Sequence, residues 1–436
     1  MMTQVNYFPR KPKSCLGFPI RLEWAGILDM ESRNPSLWNK PSRKPSLKPK
    51  QETVFLKCNC SKGAHHQRNG SKQRQLITLE GLLNLKWPKA RCRTCGHAGL
   101  LSESNLIPEA RISAPLEKLV LELAPLSVSY EAESQILWKT RSISVSNKEI
   151  ERIVINRGTQ IQKLQSQELE KMDKILKEHP PQAPQCLYLG ADGMYVQSAE
   201  GKGKRFEGKF GIVFTGERAE VSKNRSLLLN KRYVASFKGK EDFSSLLQAA
   251  AYRMGIDQAQ EVIFFADGER CLWDIKKEYF PQAIGILDWN HISRNLSKAL
   301  RIVRDHKQRD EIRQKFSGLL WRGDSQTALA ELSKLIAKEE KELSPEKEQR
   351  FQDLKDFKTY IQNNQNWIVD YESYQKRGYY IGSSIVESTV NHLGAFRLKK
   401  KRARQWIRQG ADAMARLITV IKNKELDHYW QQICLN

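Results

Sequence analysis

Two apolar runs near the middle of the chain, "EVIFFADG" and "AIGILDW", each end in an aspartate, Asp267 and Asp288. A third run, "CLYLGADGMYVQ", carries Asp192, and the late stretch "IVESTVN" carries Glu387. An aspartate at a strand end is most often a turn residue or a helix cap. Three carboxylates brought together repel one another and need compensation. Two Mg²⁺ ions about 3.5–4 Å apart would supply it and would drive in-line attack at a phosphodiester. Mg²⁺ favours oxygen ligands and keeps several waters, so three protein carboxylates suffice. Mn²⁺ is the alternative ion. The set that fits is Asp192, Asp267 and Glu387, although strand-end position alone does not separate Asp267 from Asp288.

A second chemistry lies nearer the start. Cys92 and Cys95 form CxxC followed by Gly96, a turn that lets two thiolates meet one ion. Cys58 and Cys60 form a pair one residue shorter than usual, so His65, His66 or His97 are alternatives for the fourth ligand. Between the pairs, "RQLITLEGLLNLKWPKARC" predicts a hairpin, as in a zinc ribbon with structural Zn²⁺. Eight cysteines in 436 residues do not suggest a disulfide framework, and clustered pairs suit a reducing cytoplasm.

Elements must position these groups. Residues 1–52 are rich in Pro, Ser and Lys and predict a flexible basic arm or linker. Residues 53–105 form the zinc-ribbon-like region. Over 106–180 apolar residues recur every three or four positions, which predicts helices. "SVSYEAESQILWKT" and "VSNKEIERIVINRG", split by "RSIS", suggest a helix-turn-helix. Ser146 is the expected N-cap, with Glu149 as its capping-box partner. "TQIQKLQSQELEKMDKILKEH" then predicts a connecting helix. Residues 181–305 read as β-β-β-α-β-α-β-α, a mixed α/β sheet with helices on its faces. That order is the order of the ribonuclease H-like fold, in which the first and fourth strands are neighbours. Residues 306–378 predict a helical insertion, and 379–436 the end of the core and a basic C-terminal helix.

Lys and Arg number 73 against 49 Asp and Glu, a net charge of +24. Such an excess implies a polyanionic partner, most simply DNA. The segment "FRLKKKRARQWIR" concentrates it in Arg397, Lys399, Lys400, Lys401, Arg402, Arg404 and Arg408, with Phe396 and Trp406 interleaved. Aromatic and basic residues together predict a nucleic-acid surface. No apolar run approaches a bilayer span, and the first residues carry no secretory signal, so no membrane partner is expected.

At these residues the chain resembles the DDE transposases of bacterial insertion sequences, in the Mutator-like superfamily. Asp192 in "ADGMYV" matches the first acidic position of that family. Asp267, Gly268, Trp273, Phe280, Pro281 and Ala283 match the stretch around the second. Asp288, His291, Arg294 and Asn295 match its C/D-x-x-H motif and the Arg-Asn that follows. Glu387, Ser388 and, one residue further than usual, Asn391 match its Glu-Ser-x-Asn helix. The resemblance spans roughly residues 55–420. It implies that Asp192 bridges two metals and that Asp267 and Glu387 each hold one. It implies that Asp288 and His291 support the site or contact DNA. It further implies strand cleavage and strand transfer at terminal repeats and target DNA, a homo-oligomer, and action at the bacterial nucleoid in the cytoplasm. A junction resolvase or nuclease on the same fold, or a non-enzymatic DNA-binding derivative, are the alternatives.

Overall fold

A computed structural model describes residue 60 and residues 66–100, 111–178, 181–201, 203–222, 225–382, 386, 389, 391–399 and 405–435. They belong to one compact unit, Leu56–Asn436. Glu387, Cys58, His65, Ser388, Lys400, Lys401, Arg402 and Arg404 lie outside the described residues, as does the predicted arm over 1–52.

The first described elements are β1 (His66–Thr78), β2 (Gly81–Cys92) and β3 (Ala98–Leu100), an antiparallel three-stranded sheet. The β1–β2 hairpin turns where the sequence predicted. Helices α1 (Ala114–Leu123), α2 (Tyr130–Arg141), α3 (Asn147–Glu170) and α4 (Met172–Glu178) follow. The second predicted helix and the first half of the connecting helix are one continuous α3, and the rest of the connecting helix is the separate α4. Nothing in the sequence interrupts it except Gly158, and that glycine serves packing. A Cβ there would fall 2.5 Å from Ala413 Cβ.

The central sheet contains β4 (Cys186–Ser198), β5 (Arg205–Phe214), β8 (Lys231–Ser236), β9 (Glu261–Ala266) and β10 (Ile284–Leu287), in the order β10-β9-β4-β5-β8. β4, β5 and β8 are antiparallel neighbours; β4, β9 and β10 run parallel. Parallel neighbours need crossovers, and α5 (Lys240–Arg253) and α6 (Arg270–Tyr279) provide them. Between β5 and β8 the chain forms a further hairpin, β6 (Arg218–Ser222) and β7 (Arg225–Leu228), beyond the strands expected there.

Helix α7 (Trp289–Ala299) leaves β10. Then α8 (His306–Trp321), α9 (Ser325–Lys341), α10 (Glu348–Asn364) and α11 (Tyr371–Lys376) make the helical insertion. A π-helical segment (Asn391–Lys399), β11 (Gln405–Trp406), α12 (Arg408–Lys422) and α13 (Leu426–Leu435) complete the chain. One core lies among the sheet, α5–α7 and the insertion. A second joins α1–α3, α12 and α13 to Met194, Val196, Phe206 and Phe210 of the sheet. Buried phenylalanines such as Phe264 and Phe265 each contribute about 1.5–3 kcal/mol. They also fix the β9 register, because a one-residue slip would reverse its faces and move Asp267 with them.

Candidate active site and candidate metal centre

The three aspartates fall on one row. Gly190 of β4 pairs with Phe265 of β9, and Phe265 pairs with Ile286 of β10. Two residues beyond each of these stand Asp192, Asp267 and Asp288. Opposed residues of parallel strands share a face and alternate residues return to it, so the three share one face, with Asp267 and Asp288 just past the C-terminal ends of β9 and β10 and Asp192 midway along β4. Open α/β sheets commonly bind ligands at such ends.

Their environments differ. Asp192 and Asp267 are partly exposed, whereas Asp288 is fully buried. Asp192 Oδ1 accepts from the Gly193 N–H at 2.7 Å. Asp267 Oδ1 accepts from the Glu269 N–H at 2.9 Å. Asp288 is the N-cap of α7: Oδ1 accepts from the Asn290 N–H at 3.0 Å and Oδ2 meets His291 Nδ1. Both Asp288 oxygens are thus committed to its own helix. Burial pushes the His291 imidazole down, but the hydrogen bond and charge of Asp288 outweigh it and hold the ring above its ordinary value.

A late segment crosses the same face. The Tyr380 ring packs 5.1 Å from that of Tyr188. A Cβ on Gly382 would lie 3.7 Å from Asp288 Oδ1. Val386 fills the space above Gly190, and a Cβ on Gly394 would meet Met194 Cε at 2.5 Å. Residues on either side of position 387 therefore pack on β4 to either side of Asp192. On the opposite face, buried Lys209 bonds Glu269 at 2.6 Å and Glu207 at 3.0 Å.

Sequence reasoning missed two tyrosines of the insertion. The Tyr360 hydroxyl donates to the Asp267 carbonyl at 2.9 Å, and that of Tyr371 to the Leu287 carbonyl at 2.6 Å. Their partners are backbone atoms, which leave no side-chain pattern to read. The glycine after Asp267 was the available signal, and in the structure it takes a positive φ.

Near the other end, Cys60, Cys92 and Cys95 bring their sulfurs within 4.8 Å of one another, the only such group of three metal-ligating side chains among the described residues. Cys60 and Cys92 are 3.7 Å apart, too far for a disulfide. Backbone N–H groups, chiefly that of Cys95, pull the Cys92 thiol down to about 6, and a thiolate is the form that binds metal. The trio could hold a metal ion. His97 is exposed and not part of it.

The basic segment is only partly a surface. Arg397 is 2% exposed: its Nε donates to the Ala124 carbonyl at 2.9 Å, and its guanidinium lies 4.5 Å from the Tyr130 ring centre. Trp406 is 6% exposed and packs edge-on to Tyr130. Both belong to the core, which corrects their expected place on a DNA surface. Apolar packing and a stacked guanidinium claimed them there. Lys399 and Phe396 are exposed. Arg408 is exposed too, although it donates to the Phe237 carbonyl at 2.8 Å.

In α2–α3, Ser142 adopts the left-handed conformation (φ 55°) and Ser146 caps α3 by accepting from the Glu149 N–H at 3.2 Å. The expected reciprocal half of the capping box is replaced. Glu149 binds Arg152 through both oxygens, at 2.9 and 2.6 Å, because a bidentate charged pair outcompetes one neutral N–H. The pair leaves Trp138, Lys139, Arg141, Asn147, Lys148 and Arg152 exposed. Among the described residues no helix is long and apolar enough to cross a membrane.

The model of an uncharacterised protein family, UPF0236, matches residues 100–428. No curated protein matches the chain.

Proposed function

The chain belongs to the UPF0236 family, and on that premise we propose that it is a DNA transposase of an insertion sequence, with a ribonuclease H-like catalytic core of the DDE kind, Mutator-like. The observation that carries the reading is the row of Asp192 and Asp267 on adjacent parallel strands, with Val386 and Gly394 packed over the same face. The strand order β10-β9-β4-β5-β8 supports the fold assignment.

Asp192, Asp267 and Glu387 would hold two Mg²⁺ ions. The fit rests on donor chemistry: oxygen ligands suit Mg²⁺, and Asp192 and Asp267 are partly exposed while Asp288 is spent on its helix. When bound, the ions supply Lewis-acid activation of the attacking and leaving oxygens. The residues themselves orient one strand end for hydrolysis, then orient the freed 3′-hydroxyl toward target DNA. Asp288 and His291 brace the site from β10. Cys60, Cys92 and Cys95, with Cys58, hold a structural Zn²⁺ in a zinc ribbon. The exposed face of α2–α3 and the Lys399–Arg404 stretch meet the terminal repeats of double-stranded DNA in the nucleoid. Two ends must be brought together, so the active form is an oligomer.

The test is incubation of the full chain with Mg²⁺ and labelled duplex carrying the DNA that flanks its coding sequence. Nicking followed by joining to a second duplex is expected. Nicking without joining would favour a nuclease or resolvase, and binding without cutting under Mg²⁺ or Mn²⁺ a non-enzymatic DNA-binding protein.

A further inference from the structure

The loop that carries Asp267 is pinned from several directions. Gly268 has φ +101°, and a Cβ there would lie 2.6 Å from Tyr360 Cε2 and 3.0 Å from Asn364 Nδ2. The Tyr360 hydroxyl donates to the Asp267 carbonyl at 2.9 Å. Buried Asn364 ties helix α10 to Trp273 through both ends of its amide. Its Oδ1 accepts from Trp273 Nε1 at 2.8 Å, and its Nδ2 donates to the Tyr360 carbonyl at 2.9 Å. Trp273 lies on α6, the helix that follows the loop, and stacks on Trp367 with ring centres 4.5 Å apart. The loop and helix α10 therefore form one hydrogen-bonded body, although 93 positions separate Asp267 from Tyr360.

We infer that Tyr360 is a positioning residue for Asp267: by holding the Asp267 carbonyl from the helical insertion, it fixes the direction in which the Asp267 carboxylate meets a divalent cation. The inference rests on the reading of Asp267 as a metal ligand. The insertion is then part of the metal site's scaffold as well as a connection between acidic residues. Orientation matters because a cation's affinity depends on ligands already aimed at it. Loss of a group that orients a ligand typically costs 10–100-fold in affinity.

Tyr371 supplies an internal control. It also donates its hydroxyl to a strand-end carbonyl, that of Leu287, and it is fully buried. The residue after that carbonyl is Asp288, whose oxygens are engaged by Asn290 and His291. Removing either hydroxyl deletes the same kind of bond, but only one bond lies beside a proposed ligand.

The experiment titrates Mn²⁺ alone into the metal-free full chain by calorimetry, for wild type, Tyr360→Phe, Tyr371→Phe and Asp192→Asn. Amide hydrogen exchange over residues 267–269 is followed in the metal-free proteins. Tyr360→Phe is expected to weaken Mn²⁺ binding about tenfold and to speed exchange at the Glu269 amide. Tyr371→Phe is expected to melt earlier yet bind Mn²⁺ within about twofold of wild type. Equal affinity in Tyr360→Phe and wild type would overturn the inference, and so would an equal loss in both tyrosine variants, which would mean general loosening. If wild type takes up no Mn²⁺, or Asp192→Asn binds it unchanged, the metal reading itself fails and takes this inference with it.

Discussion

Replacing Asp288 should damage the fold itself, and in a pH-dependent way. Its Oδ1 caps α7, and its Oδ2 meets the His291 ring while fully buried. Removing an N-cap costs about 1 kcal/mol. Losing a hydrogen bond to a charged partner costs about 1.5–3 kcal/mol. Asp288→Ala loses both and should fall by about 2.5–4 kcal/mol. Asp288→Asn keeps a capping oxygen and should lose only the second part. The His291 ring is held above its ordinary 6.5 in the folded state. A group with a raised folded pKa stabilises fully below its unfolded value and loses that contribution as pH rises through the folded one. The penalty for Asp288→Asn is therefore larger at pH 5.5 than at pH 9. Thermal melting of the metal-free protein reads this, at roughly 2–4 °C per kcal/mol for domains of 150–250 residues. Asp192→Asn should cost the metal-free fold less, because the side chain is partly exposed and the amide keeps an oxygen for the Gly193 N–H. A melting temperature for Asp288→Ala equal to or above wild type would refute the cap assignment.

Two other outcomes follow from buried or clustered groups. Glu133 is fully buried with neither carboxylate oxygen hydrogen-bonded, and burial, partly offset by Arg397, pushes it up to about 8. Its protonated form is the one the fold favours, so wild-type stability should decline from about pH 4.5 to pH 8, and Glu133→Gln should flatten that decline in melting curves across the range. At the cysteine cluster, the purified protein should carry one Zn²⁺ per chain by elemental analysis; Cys92→Ser and Cys95→Ser should each lose it, and undiminished zinc in both would count against the site.

Much of the sheet was legible because its strands are short apolar runs bounded by turn residues, alternating with helical periodicity. That sufficed to put Asp267 and Asp288 at strand ends and Asp192 on the first strand of the sheet. It did not give their register, which depends on cross-strand pairs such as Gly190 with Phe265. Strand pattern alone hid the separate fate of Asp288 for the same reason, and only the family resemblance set it apart from Asp267. A cap and a ligand look alike in sequence until the partners of each oxygen are known. The basic segment misled at Arg397 and Trp406. Composition marks a charged stretch but not which residue turns inward, and Arg397 turns in because Tyr130 and Trp406 stack on its guanidinium. The second predicted helix joins the connecting helix through Gly158, whose missing Cβ leaves room for Ala413 of α12.

The central claim is that Asp192, Asp267 and Glu387 act together on DNA while Asp288 supports them. The most direct measurement compares Mg²⁺-dependent nicking of the flanking-DNA duplex by wild type and by Asp192→Asn, Asp267→Asn, Glu387→Gln and Asp288→Asn, each assayed below its own melting temperature. The account predicts no detectable product from the first three variants and measurable residual cleavage from Asp288→Asn. Cleavage that survives Asp267→Asn but vanishes in Asp288→Asn would contradict it and move the second ligand to β10.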